Sequence, residues 1–130
     1  MRYLIIGSGK IGIDLYIKLK KLNLPGEILI FNGNKNSIGG KYCRKKKFNY
    51  SPGGINHLLS FLNEDNNIIF DCTSASASMK IYSKLKNKIK NNFYVNLTPA
   101  PIGEYFIPYF SDVKIPHSIN MITCGGQSSV

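Results

Sequence analysis

The opening of the chain constrains its fold more than any other stretch. Arg2-Tyr3-Leu4-Ile5-Ile6 reads as a strand buried in a sheet, and Gly7-Ser8-Gly9-Lys10-Ile11-Gly12 follows without a gap. Ile11, Leu15, Leu19 and Leu22 then recur at helical spacing, with Asp14, Lys18 and Lys21 assigned to the water-facing side. Pro25-Gly26 closes the unit, and Glu27 to Phe31 is the next strand. Strand, glycine turn, helix and strand form the context that gives a G-x-G-x-x-G pattern its meaning. Gly7 permits the tight turn, Gly9 lets a pyrophosphate lie against the backbone, and Gly12 lets the helix pack closely on the sheet. The phosphates would meet the free N–H groups at the start of that helix.

Further along, Gly53-Gly54 precedes a helix pattern in Ile55, Leu58, Leu59 and Leu62. Ile68 to Cys72 reads as a third strand, ending at Thr73-Ser74-Ala75, and Met79, Tyr82, Leu85 and Ile89 mark the core face of the next helix. Phe93 to Leu97 is another strand, leading into the stiff loop Thr98-Pro99-Ala100-Pro101. The expectation is an α/β, Rossmann-like, doubly wound and mainly parallel sheet with helices on both faces, residues 1–130 forming a single domain. In such sheets ligands bind beyond the carboxyl ends of the strands, where the strand order reverses. The glycine turn, Thr73-Ser74, Thr98-Pro99 and Cys124 all follow strands, so they can converge on one crevice.

The tip of the second strand, Asn32-Gly33-Asn34-Lys35-Asn36-Ser37, lacks the carboxylate that usually holds an adenosine ribose. Asn and Ser can still bond a ribose, Lys35 or Arg44 could meet a 2′-phosphate, and a plain Asn/Gly turn is the alternative. The choice between NAD and NADP stays open at this point. Near the other end, Asn120-Met121-Ile122-Thr123-Cys124-Gly125-Gly126-Gln127 places a thiol at a strand-to-helix corner, a setting that favours the thiolate. A buried cysteine beside a turn is the competing reading. His57 and His117 are conceivable bases for that thiol, but surface or capping roles are the commoner fate of such histidines.

Three widely spaced cysteines form neither a disulfide framework nor a zinc pattern; Cys43 and Cys72 are read as packing residues, and a reducing, cytoplasmic setting is expected. No apolar run is long enough to cross a membrane, and the strand pattern begins with no signal peptide ahead of it. The formal net charge of +10 comes from lysines spread over helix faces, with Arg44-Lys45-Lys46-Lys47 the one compact run. Stacking aromatics do not alternate with it, so nucleic acid is not the expected partner.

Four elements together resemble the acylating acetaldehyde dehydrogenases: Ile6-Gly7-Ser8-Gly9-Lys10-Ile11-Gly12, Phe70-Asp71-Cys72-Thr73-Ser74-Ala75, Leu97-Thr98-Pro99-Ala100-Pro101-Ile102-Gly103 and Asn120 to Gln127. The resemblance implies that Cys124 is the acyl-accepting nucleophile and that Ser8, Gly9, Lys10 and Ile11 contact NAD; Gly7, Gly12, Thr73 and Ser74 are expected around the cofactor from their places in the turn and at the strand end. It implies a thiohemiacetal and then a thioester on Cys124, resolved by coenzyme A, with a small aldehyde as substrate. It also implies an aldolase of 4-hydroxy-2-oxovalerate as partner, in aromatic catabolism. Members of that family continue beyond the cysteine into a catalytic and dimerisation domain. This chain is therefore expected to be a fragment or truncated copy, or to be completed by another chain, with little turnover alone.

Overall fold

The computed structural model describes residues 1–64, 66–89, 91–106 and 117–121. Eleven elements follow one another: β1 (Arg2–Ile6), α1 (Lys10–Leu22), β2 (Glu27–Phe31), α2 (Ile38–Lys45), β3 (Tyr50–Ser51), α3 (Gly54–Phe61), β4 (Asn67–Asp71), α4 (Ala75–Leu85), β5 (Phe93–Asn96), β6 (Glu104–Phe106) and β7 (Ser118–Met121). The seven strands form one sheet in the order β3-β2-β1-β4-β5-β7-β6, and every pairing is parallel. The chain winds outward from β1 through β2 to β3, then returns to the other side of β1 and winds out again from β4. The order therefore reverses between β1 and β4, and the expected α/β, Rossmann-like, doubly wound architecture is present.

Alternation along the central strands divides the core. Leu4, Ile6, Leu29, Phe31, Ile69 and Tyr94 face Leu58 and Leu62 of the α3 segment and Leu85 and Ile89 around the end of α4. Tyr3, Ile5, Ile28 and Ile30 face Tyr16 and Leu19 of α1 and Cys43 of α2. Each fully buried aliphatic or aromatic side chain of this kind contributes about 1.5–3 kcal/mol relative to exposure. Tyr16 also stacks on Phe48 at 4.5 Å between ring centroids, and its hydroxyl accepts from the Asn49 backbone N–H at 3.0 Å. The edge strands β3 and β6 have two and three residues, which limits the unpaired backbone they present.

Several expectations need correction. The buried face of α1 is Gly12, Tyr16 and Leu19, while Ile11 is 50% and Leu22 64% exposed. In α4, Met79 is 51% exposed and Ser78 is buried in its place; Ile89 is buried but lies beyond the helix end. The stretch read as an Asn/Gly turn leads at once into α2, a helix whose N-cap is Ser37. Cys43 and Cys72 are buried and free, the packing role expected of them.

Candidate functional site

The glycine turn is closely packed at Gly7 and Gly12 and open at Gly9. Gly7 has φ +102°, and a Cβ there would lie 3.0 Å from the Cys72 carbonyl oxygen at the end of β4. A Cβ on Gly12 would lie 2.1 Å from the Gly7 carbonyl oxygen, so only glycine lets α1 sit this close to the sheet. Gly9 is the opposite case: it is exposed, and a Cβ there would meet no atom within 4 Å. Gly9 is also the N-cap of α1 and offers no side-chain bond, and no acidic residue occupies the first turn. The opening N–H groups of α1 thus face open space across a residue without a side chain, a setting suited to an anion such as a phosphate.

The tip of β2 folds back onto this turn. Asn32 Nδ2 donates to Ser8 Oγ at 2.5 Å and to Ser37 Oγ at 3.0 Å, while its Oδ1 accepts from the Asn34 N–H at 3.1 Å. Ser37 in turn accepts from the Gly40 N–H at 3.0 Å and so caps α2. A Cβ on Gly39 would lie 1.6 Å from the Ser8 carbonyl oxygen, which ties the start of α2 to the turn after β1. Ser8 is buried by this arrangement, whereas Gly9, Lys10 and Ile11 are exposed.

The end of β4 is held by a buried carboxylate. Asp71 Oδ1 accepts from the Thr73 N–H at 3.0 Å and Thr73 Oγ1 at 2.6 Å; Oδ2 accepts from Ser78 Oγ at 2.7 Å and the Tyr94 hydroxyl at 2.5 Å. Four donors thus compensate a charge removed from water. Burial, and then the Asp71 charge, push the Cys72 thiol up to about 12. The same two causes, with the hydrogen bond to Asp71, hold the Tyr94 phenol far above its ordinary range. Ser74 caps α4 by accepting from the Ala77 N–H at 3.3 Å. Thr73 and Ser74 therefore both stand beside the turn of Gly7, fixed by bonds within their own loop.

Farther along the rim, Asn96 and Asn120 face each other in the β5–β7 register, and both donate to the Ala100 carbonyl, at 2.7 and 3.0 Å. Asn96 Oδ1 also accepts from Thr98 N and Oγ1, so the Thr98 to Pro101 loop is clamped from beneath. His57 is exposed, with Nδ1 2.5 Å from Ser51 Oγ and its ring edge-on to Phe31 and Phe61, which fits a structural role. His117 is exposed and its carbonyl accepts from Tyr94 N–H at 2.8 Å.

Two recesses flank the glycine turn. One, of about 230 Å³, lies where the strand order reverses, between Gly7, Asn32, Gly33, Gly54 and Thr73. The other, of about 540 Å³, runs between α1 and α2, is walled by Ile13, Ile17, Ile38 and Tyr42, and is the one onto which Ser8, Gly9 and Lys10 of the turn open. Position in the fold, rather than size, favours the smaller recess as the nucleotide cleft, because ligands of open parallel sheets lodge at the reversal. The structure thus brings Gly7, Ser8, Gly9, Lys10, Ile11, Gly12, Thr73 and Ser74 to one rim. β7 runs parallel to β5 and ends at Met121 on that rim; Cys124 lies outside the described residues. Sequence reasoning overlooked the anchoring parts of the site: Asp71 with Ser78 and Tyr94, the Asn96–Asn120 clamp, and Asn32 as the link between two loops. A carboxylate ending a strand just before Thr-Ser was the available signal for the first.

No family model matches the chain. A protein of Geobacillus thermodenitrificans named acetaldehyde dehydrogenase is 34% identical over 128 residues, covering 97% of this chain and 43% of the relative. Acetaldehyde dehydrogenase 2 of Mycobacterium sp. (strain KMS) is 36% identical over 130 residues, covering 97% and 41%. The acetaldehyde dehydrogenase of Burkholderia thailandensis is 33% identical over 139 residues, covering 99% and 43%. Among solved structures, a Corynebacterium glutamicum protein assigned as a prephenate dehydrogenase superposes with a TM-score of 0.60 at 21% identity, over 75% of this chain and 29% of that one, a likeness of fold. The chain spans less than half the length of the curated relatives it matches. Over nearly all of its own length, then, this chain is homologous to the acetaldehyde dehydrogenase family, to which it is related as a match to part of each member.

Proposed function

We propose that the chain is the dinucleotide-binding part of an acylating acetaldehyde dehydrogenase, with NAD or NADP as cofactor and Cys124 as the acyl-accepting thiol. The observation that carries this reading is the cradle formed by Gly7, Gly9 and the uncapped start of α1 at the strand-order reversal. It suits a pyrophosphate and leaves room for no side chain at positions 7 and 12. When bound, the nicotinamide supplies the hydride acceptor. The chain's own contributions are to hold the phosphates on the N–H groups of α1 and to order the rim through Asp71 and the Asn96–Asn120 pair. Cys124 as thiolate would add to the aldehyde carbonyl, and after loss of hydride the resulting thioester would pass its acyl group to the coenzyme A thiol. Assembly with an aldolase that releases acetaldehyde, and oligomerisation through further sequence, belong to the same proposal.

A second reading is a dinucleotide-binding module without covalent chemistry. It is favoured by the commitment of Ser8, Thr73, Ser74 and His57 to structural bonds. Exposure to acetyl-CoA separates the two, because acyl transfer can run in reverse without redox: the Cys124 thiolate displaces the coenzyme A thiol and keeps the acetyl group. Mass spectrometry should find acetyl on the peptide carrying Cys124 and none in Cys124→Ser. Dinucleotide binding without that adduct would leave the binding module; absence of both would remove the proposal. The chain alone is expected to form little NADH from acetaldehyde and coenzyme A, and robust turnover would contradict that expectation.

A further inference from the structure

We infer that the adenosine end of the cleft accepts a 2′-phosphate, so that phosphorylated dinucleotides bind more tightly than unphosphorylated ones, and that residue 32 sets this choice. The inference rests on the dinucleotide reading above and goes beyond it by naming the group recognised and the residue that selects it.

A site that selects a free ribose presents a carboxylate at the end of the second strand, which accepts from the hydroxyls and repels a phosphate in their place. Here that position is Asn32, which borders the cleft together with Gly33. Its amide is turned into the protein: both N–H groups are used on Ser8 and Ser37, and the carbonyl oxygen accepts from Asn34. Residues 32–37 contain no carboxylate at all. Asp71, at the end of β4, is fully buried with both oxygens engaged, and Asp14 is paired with Lys18 at 2.6 Å. The loop's charge is therefore positive. Lys35 stands on it, and Arg44 of α2 is held against it by a bond from Nη2 to the Lys35 carbonyl at 2.6 Å. Among the described residues no acidic side chain pairs with Lys35 or Arg44. Neither cation lines the recess itself, but both stand on the loop and helix that follow Asn32 and Gly33, so a dianionic phosphate bound there is attracted by two cations with no carboxylate on residues 32–37 to oppose it.

The test is calorimetric titration of the 130-residue chain with adenosine 2′,5′-bisphosphate and with 5′-AMP, so that no turnover is needed. The expected result is tighter binding of the bisphosphate by about fivefold, the scale of one or two solvent-exposed charge pairs, shrinking with added salt. Asn32→Asp should abolish the preference, because a negative charge at the rim opposes the 2′-phosphate even with its oxygens held by Ser8 and Ser37. The substitution is close to isosteric, and the Ser8 and Ser37 hydroxyls can rotate to donate to the new carboxylate. Lys35→Ala, on an exposed loop, should lower bisphosphate affinity and leave 5′-AMP unchanged, which keeps the test decisive should the first variant misfold. Equal or tighter binding of 5′-AMP by the unaltered chain would overturn the inference while preserving the dinucleotide reading. Failure of both ligands to bind would overturn the reading and the inference together.

Discussion

Two glycines of the same turn should respond to substitution in opposite ways. At Gly12 an added Cβ would lie 2.1 Å from the Gly7 carbonyl oxygen, a backbone atom with no rotamer to retreat into. Carbon–oxygen contacts settle at about 3.3 Å or more, so α1 must lift by roughly 1 Å from the sheet. That movement loosens Tyr16 and Leu19, which are buried against Ile5 and Ile28. Overpacking of this kind costs about 1–3 kcal/mol, and a backbone collision belongs at the upper end. Alanine recovers about 1 kcal/mol through helix propensity, leaving Gly12→Ala destabilised by about 2 kcal/mol. Gly9→Ser meets no neighbour within 4 Å, and serine is a better N-cap than glycine by a few tenths of a kcal/mol. Its hydroxyl would satisfy the same N–H groups that a phosphate needs, and its Cβ would occupy the approach. Gly9→Ser should therefore keep or raise stability while losing at least tenfold in dinucleotide affinity, about 1.4 kcal/mol. Urea denaturation and calorimetric titration of both variants provide the assay. Undiminished dinucleotide binding by Gly9→Ser would refute the cradle, and an unchanged midpoint for Gly12→Ala would refute the tight seating of α1.

Tyr94→Phe removes one of the four donors to the buried Asp71 carboxylate and should cost about 1.5–3 kcal/mol in urea denaturation, the range for hydrogen bonds to charged groups. Ser37→Ala removes the cap of α2 and one partner of Asn32, and a loss of about 1 kcal/mol is expected. Cys72 is held neutral by the fold, so folding favours its protonated form: that contribution is complete below the ordinary thiol range near 9 and is lost as pH rises toward about 12. Its share of stability should fall by about 1.4 kcal/mol per pH unit within that window, and Cys72→Ala should flatten the alkaline limb of a stability–pH profile. At neutral pH, Cys43 and Cys72 should resist iodoacetamide in the folded chain and react on unfolding, since both thiols are buried and raised. Under the proposed function Cys124 should be alkylated faster than either, and saturating dinucleotide should slow it.

Much of the fold is legible in the sequence because its central strands are long enough to show a pattern. β1, β2, β4 and β5 each carry four or five residues of buried-strand character, and Gly7 to Gly12 fixes what joins the first two. The phase of α1 is harder to read. Gly12 packing on the sheet and Ile11 pointing into the core are incompatible, since successive helical residues are about 100° apart, and the glycine contact wins. α2 is hidden by its own glycines. Gly39 and Gly40 oppose helix formation by about 1 kcal/mol each, yet their side-chain positions are closed by Ser8 and by the Tyr50 hydroxyl, so tertiary contact overrides propensity. Asp71 is visible in sequence as a strand-terminal carboxylate, but its partners Ser78 and Tyr94 lie seven and 23 residues away, and only the folded sheet makes them neighbours.

The parallel sheet also explains why separate motifs can serve one ligand. With every pairing parallel, each strand delivers its following loop to the same edge, so the turn after β1, the Thr73-Ser74 loop after β4 and the clamped loop after β5 stand side by side. From β1 across β4 and β5 to β7 is three strand spacings, about 14 Å along the rim at roughly 4.8 Å each. A dinucleotide anchored by its pyrophosphate at β1 must lie along that rim for its nicotinamide to approach β5 and β7, and the buried anchors Asp71, Asn96 and Asn120 underlie this path. Cys124 is three residue steps beyond Met121, a reach of at most about 10 Å. Bringing Cys124 to that rim therefore requires only a short reach beyond β7, while the costlier alignment of the three loops after β1, β4 and β5 is supplied by strand direction alone.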